Sequence, residues 1–294
     1  MRLIKKMGLF KNFERKAPLE IVLHCVVSAF FMLVALSYLY IFVWALLAGL
    51  RTNSEIVMDP FGIPTTWNWE HYLEVFEKLE VNGNNFLDML FNSVWFSVFG
   101  SLLTQFITCT FAYTCSKYKF PGSGIPYTIV LIMITLPIYG NSGAMYKLLH
   151  SMGMIDSYAR VLTAAAGFNM HFLYYMAYLK NLSWTYAEAA MMDGANDFQI
   201  YFRVMFPQVK PLFGALFLSS WLASWNSYEN ELLYQPNLPT LPVGIYQFNL
   251  EMTYRARLDI LFAACVLISI PAIILFIVFN KTITTNVSVG GIKG

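Results

Sequence analysis

Few residues in this 294-residue chain have the types and spacing to do chemistry, and what they offer is docking and binding, not bond making. Glu188 stands beside Ala189 and Ala190, followed by the pair Asp193-Gly194 and then Ala195. Thr185-Tyr-Ala-Glu188 fits a reciprocal cap, so a helix is expected to open at Tyr186. Alanines on that helix admit a close neighbour, and Gly194 supplies a turn that branched residues resist. A second helix is expected through Phe198, Phe202 and Phe206, stopping at Pro207. The product is a short helix–turn–helix with a carboxylate at its edge, a shape that enters a groove and transmits a rigid-body motion. On these residues alone it reads equally as a plain elbow between longer helices.

A second group is Trp221, Trp225, Asn226 and Tyr228, with the tryptophans four apart on one helix face and Tyr228 continuing that face. Aromatic faces stack on the C–H surfaces of sugar rings if they line a cavity. The same aromatics also suit a membrane-interface belt or packing against a partner. His24, Gln105 and His171 stand alone in apolar runs, with no carboxylate in their helices. A proton- or ion-coupled secondary transporter, the runner-up reading, is expected to bury Asp, Glu or Lys relays, and the apolar runs contain none. A membrane-embedded enzyme needs a Ser/His, Asp/Asp or metal constellation, and no such set is found, so neither catalytic nor metal-binding residues are expected. The four cysteines form no CxxC pair and read as buried thiols. The phosphate-cradling pattern G-x-x-x-x-G-K-[ST] is absent, so no cofactor is expected on this chain.

The elements that position these residues follow from composition. Hydrophobic types make up 57% of the chain and charged types 12%, against about 25% charge in a soluble domain, which excludes a water-soluble globular enzyme. Residues 21–50, 89–116, 120–146, 161–179, 211–228 and 260–280 hold no Asp, Glu, Lys or Arg. About 20 apolar residues cross a hydrocarbon layer ~30 Å thick, so an all-α integral membrane protein of six transmembrane helices is predicted, one domain over 1–294. The first run is too long for the core of a secretory signal. A net charge of +2 gives no support for nucleic-acid binding. The basic N-terminal segment 1–18 is placed inside by the positive-inside rule, and alternating sides from there leaves 13 of the 19 Lys and Arg inside, hence N-in and C-in. Segment 181–210 and the tail 281–294 then lie in the cytoplasm. A short amphipathic helix is expected at Trp69–Leu79, a kink at Pro137, and a rigid extended connection through Pro236, Pro239 and Pro242.

Glu188-Ala189-Ala190-Met-Met-Asp193-Gly194-Ala195, followed by Phe202-Arg-Val204-Met-Phe206-Pro207, resembles the EAA loop of ABC-importer permeases, in the Asp-Gly-Ala form of the carbohydrate-uptake branch. Val204 and Phe206 stand where that family usually has Ile and Leu, both conservative apolar changes. Asn92-Ser93, Trp225-Asn226, Leu241-Pro242-Val243-Gly244 and the terminal Val289-Gly290-Gly291-Ile292-Lys293-Gly294 resemble further landmarks of the family, in order. The resemblance implies the type I importer permease fold in a bacterial plasma membrane. The expected partners are a second homologous permease in a heterodimer, an ATPase dimer holding ATP and Mg, an extracellular substrate-binding protein, membrane lipid and a carbohydrate substrate. It also implies that Glu188–Asn196 is a coupling helix seated in the ATPase, and that Gly290, Gly291 and Lys293 enter the interface between the ATPase subunits.

Overall fold

The computed structural model describes residues 18–136, 140–165, 167–255 and 257–286, and their regular structure is helical apart from one isolated bridge between Val81 and Asn84. The first helix, α1 (Pro18–Ala48), is apolar all round and largely exposed along its length, as a helix facing lipid or a partner must be. Its end meets the start of the last helix at Gly49, where an added Cβ would lie 3.0 Å from backbone atoms of Ala263. Lipid tails are as apolar as leucine, so helices in a membrane associate by close packing, which small residues permit.

After α1 come α2 (Asn53–Met58) and α3 (Glu70–Lys78). The amphipathic helix expected at Trp69–Leu79 is present. Val75 and Leu79 are fully buried against the last helix, whereas Trp69 and Leu73 are exposed. Next, α4 (Phe86–Lys117) opens on a reciprocal Asn85/Asp88 cap and contains a π-helical turn at Trp95–Phe99. The turn around Pro121-Gly122 leads to α5 (Ile125–Thr135), α6 (Ser142–Ser151), a 3-10 segment Tyr158–Ala165 and α7 (Met170–Asn181).

The third and fourth apolar runs are therefore each broken into two helical pieces instead of one rod. Leu136 is extended (φ −95°, ψ 107°), as the residue before a proline prefers. Pro137 itself lies outside the described residues, as do the basic residues of 1–17. The fourth run breaks because Asn169, extended, caps a new helix by accepting from the Phe172 N–H.

Then follow α8 (Thr185–Met192), a short turn Asp197–Gln199, a π-segment Ile200–Met205, α9 (Phe206–Trp225), α10 (Glu229–Tyr234), α11 (Leu241–Arg255) and α12 (Leu258–Asn286). The second helix of segment 181–210 does not stop at Pro207, nor does a new helix begin at Pro211. Residues 197–225 run as one continuous helical rod. Pro207 and Pro211 both lie inside this rod, and the π-turn immediately before Pro207 gives up regular hydrogen bonding locally, so the missing N–H is accommodated there. The expected extended connection does not form: residues 235–240 between α10 and α11 hold a turn closed by the Leu238 N–H on Gln235 O at 3.2 Å, Pro242 lies inside α11, and α12 continues past Asn280 to Asn286. Among the described residues three helices are long and apolar enough to cross a membrane, α4 and stretches of α1 and α12.

Two buried clusters share the bundle. One joins α4, α5, α7, α8 and the start of α9 around Phe172, Tyr175, Ile200 and Met205. The other joins α3, α4, α9, α11 and α12 around Leu79, Met89, Trp221, Trp225 and Ile260. The rod 197–225 passes through both, so it mechanically links the elbow at one end to the tryptophan pair at the other.

Candidate coupling and transport sites

The elbow is built largely as its residues imply, with one local exchange. No reciprocal cap forms at Thr185 and Glu188. Trp184 stands at the cap position, Thr185 lies in the first turn, and Ser183 Oγ accepts from the Thr185 N–H at 3.3 Å. The reciprocal cap forms instead at Asn196 and Gln199, each side chain accepting from the other's N–H at 2.9 and 3.0 Å, and it opens the long rod. Asn-x-x-Gln was the sequence signal for it. Between the two helices Gly194 has φ +80°, and α8 ends in paired bonds, Ala195 N–H to Ala190 O at 2.9 Å and Gly194 N–H to Met191 O at 3.0 Å. That is the glycine-terminated helix end in which a left-handed residue satisfies two orphan carbonyls.

Ala187 is fully buried and anchors α8 to the cluster around Phe172 and Tyr175, while Glu188, Ala189, Asp193 and Gly194 are exposed and Met192 is 88% exposed. Two contacts that sequence reasoning missed clamp this elbow to the end of α4. Lys117 Nζ donates to Leu182 O at 2.6 Å, and the Tyr118 hydroxyl donates to Asp197 at 2.9 Å. Burial first, then its hydroxyl contacts with Tyr113 and Asp197, push the Tyr118 phenol well above its ordinary range, so it stays a neutral donor. Phe206 joins Phe202 around Phe106, at 6.5 and 6.1 Å between ring centroids, whereas Phe198 is exposed.

At the other end of the rod, Trp221 and Trp225 stack with ring centroids 5.0 Å apart, and both are buried. Trp225 Nε1 donates to Ile268 O at 3.3 Å, so part of its role is to bind α9 to α12. Trp225, Asn226 and Tyr228 line one recess of about 610 Å³ between α9, α11 and α12, where Tyr228 stacks on Tyr246 at 4.8 Å. Trp221 does not reach this recess. The volume is within the range of small-molecule sites. Gly290, Gly291 and Lys293 lie outside the described residues.

Gln105 and His171 are not alone. The fully buried Gln105 amide donates to His171 Nδ1 at 2.7 Å and to Ser220 Oγ at 2.6 Å, and it accepts from the Tyr175 hydroxyl at 3.1 Å. These four come from α4, α7 and α9, and their separation in sequence hid the pairing. They satisfy one another across the bundle as buried polar groups must. Arg160 and Glu231 likewise meet at 2.9 Å, both nearly buried.

Residues 120–289 match the family described as binding-protein-dependent transport system inner membrane component. The chain is similar to the arabinooligosaccharides transport system permease protein AraQ of Bacillus subtilis, at 30% identity over 95% of this chain and 99% of that protein. It is also similar to the diacetylchitobiose uptake system permease protein NgcG of Streptomyces coelicolor, at 26% identity over 84% of this chain and 82% of that one. Among solved structures, a chain of a bacterial ABC transporter involved in the import of the acidic polysaccharide alginate superposes with a TM-score of 0.74 at 21% identity, covering 90% of this chain and 98% of its own.

Proposed function

The chain belongs to the family of binding-protein-dependent transport system inner membrane components, and we propose that it forms one half of the pathway of an ATP-driven importer for an oligosaccharide. It is a membrane permease of the ABC importer class and not itself an enzyme. Relatives named for arabinooligosaccharide and diacetylchitobiose uptake support the substrate class. The observation that carries the mechanism is the α8 elbow: a glycine-closed helix with an exposed carboxylate and small face, anchored at Ala187 and continuous through the rod 197–225 with Trp225.

In this reading Glu188, Ala189, Ala190, Asp193, Gly194 and Ala195 enter a cleft of a separate ATPase dimer, which holds the ATP and Mg. Phe206 and Pro207 lie within the lever that carries the motion into the membrane. A second, related permease completes the pathway, an extracellular binding protein delivers the sugar, and Gly290, Gly291 and Lys293 reach the ATPase interface. Trp225, Asn226 and Tyr228 face the route, with Trp221 supporting them from behind. The six crossings remain our reading, with the third and fourth each made of two helical pieces. The excess of Lys and Arg on the N-terminal side supports N-in and C-in.

The test is co-purification followed by reconstitution. The tagged chain should retain a second permease and an ATPase, and proteoliposomes holding that assembly should accumulate labelled oligosaccharide only with ATP inside and binding protein outside. A stable homodimer without ATPase, moving sugar on a proton gradient, would replace this reading with the secondary-transporter one.

A further inference from the structure

A second recess, of about 210 Å³, lies among α4, the 3-10 segment and α9, and none of the aromatic candidates lines it. Its polar lining comes chiefly from Ser101, Thr104, Ser220, Ser224, Arg160 and Glu231. Arg160 and Glu231 pair at 2.9 Å with side chains 12% and 7% exposed, and Ser227 Oγ donates to the other Glu231 oxygen at 2.7 Å. The guanidinium also lies 5.0 Å from the centroid of the Phe96 ring.

Two buried polar atoms of this lining have no hydrogen-bond partner among the described residues, the Ser101 hydroxyl and Arg160 Nε. Ser101 is 3% exposed. Buried polar groups are normally satisfied, and those beside a cavity are satisfied by what fills it. The charges of Arg160 and Glu231 offset each other, so the pair gives the recess no net charge with which to select an anion or a cation. Carboxylate, guanidinium and hydroxyls side by side instead match adjacent hydroxyls of a polyol, each of which donates and accepts. The volume is below that of typical drug-sized sites and suits one ring.

We propose that this recess is a subsite on this chain for one uncharged sugar ring of the transported substrate, held by the Arg160–Glu231 pair and the Ser101 and Ser224 hydroxyls. The proposal rests on the oligosaccharide reading above and adds where, and by which groups, the sugar is held.

The test uses the complete transporter in proteoliposomes with its binding protein. The probes are labelled arabino-oligosaccharides, galacto-oligosaccharides and diacetylchitobiose, with oligogalacturonide as an acidic comparator. Ser101→Val, which removes the hydroxyl and narrows the recess, should lower uptake of the neutral substrate about tenfold, the scale of losing one or two hydrogen bonds. Glu231→Gln uncovers the Arg160 charge and should raise the acidic-to-neutral uptake ratio about tenfold over wild type. The same binding protein serves every chain, so its own preference cancels in that comparison. Co-purification of the partner chains checks assembly. If Ser101→Val does not assemble, Ser224→Ala, which removes only a hydroxyl, takes its place and should lower uptake severalfold. Wild-type uptake with variants matching it in rate and ratio overturns the subsite alone. No uptake of any neutral oligosaccharide by wild type overturns the functional reading and the subsite with it.

Discussion

The Ser93 hydroxyl accepts a 2.8 Å hydrogen bond from the backbone N–H of Leu241, joining α4 to the first residue of α11 across 148 positions. Its neighbour Asn92 donates to Pro239 O at 3.0 Å and accepts from the Tyr158 hydroxyl at 2.8 Å. The first N–H groups of a helix have no partner within it, and Ser93 supplies one from another helix. Two short sequence landmarks, Asn92-Ser93 and Leu241-Pro242, are thus the two sides of one joint.

Ser93→Ala should leave the Leu241 N–H buried and unpaired, costing about 1–3 kcal/mol, while Ser93→Thr should retain most of the stability. Thermal unfolding of the purified protein, followed by tryptophan fluorescence, checks this. An alanine variant with unchanged Tm would mean that the joint carries no strength.

Gly194→Val should impair coupling and spare assembly. The residue sits at φ +80°, and a Cβ added there would meet no atom within 4 Å, so the cost of the substitution falls first on the backbone. Forcing a branched residue into that conformation costs about 1–2 kcal/mol and re-aims α8. Glu188→Ala should lower transport-stimulated ATP hydrolysis by loss of a charge-assisted contact of about 1.5–3 kcal/mol. Wild-type hydrolysis by both variants in the assembled transporter would refute the coupling assignment.

Trp225→Ala should reduce uptake more than Trp221→Phe. Trp225 lines the larger recess and bonds Ile268 O, whereas the Trp221 Nε1 is buried without a partner among the described residues, so Phe at 221 gives up no hydrogen bond. Truncating Trp225 also leaves a cavity, costing about 3–5 kcal/mol. Uptake must therefore be scaled to the amount of inserted, folded chain. Equal scaled uptake in the two variants would assign Trp225 to packing.

Acid should loosen the contact between α3 and the approach to α12. Hydrogen bonding to Lys78 and then to Arg257 holds the Glu74 carboxyl below its ordinary value of 4.5. A depressed carboxyl contributes stability above its unfolded value and loses it as pH falls through its folded one. Tm should therefore decline below about pH 4.5, and Glu74→Gln should be less stable than wild type at neutral pH and flatter on acidification. The same acid response in both proteins would place its origin elsewhere.

Residue order alone was enough for features set by neighbours a few positions apart. The apolar runs announced α1, α4 and α12, the aromatics around Val75 announced α3, and Asp193-Gly194 announced the turn whose left-handed glycine closes α8. Local order misled at the elbow and at Pro207. Thr185-x-x-Glu188 reads as the cap of α8, and the reciprocal cap forms instead at Asn196 and Gln199. Pro207 reads as a stop, yet the π-turn before it already departs from regular hydrogen bonding, and burial of Ile200 and Met205 holds that segment in the same rod. The polar partners were beyond reach of the sequence. Gln105 with His171, Arg160 with Glu231, and Ser93 with Leu241 are separated by 66, 71 and 148 residues. Periodicity records which face a residue takes on its own helix. Which distant helix that face meets is decided when packing brings buried polar groups together, because in an apolar bundle each must find a partner or remain unsatisfied.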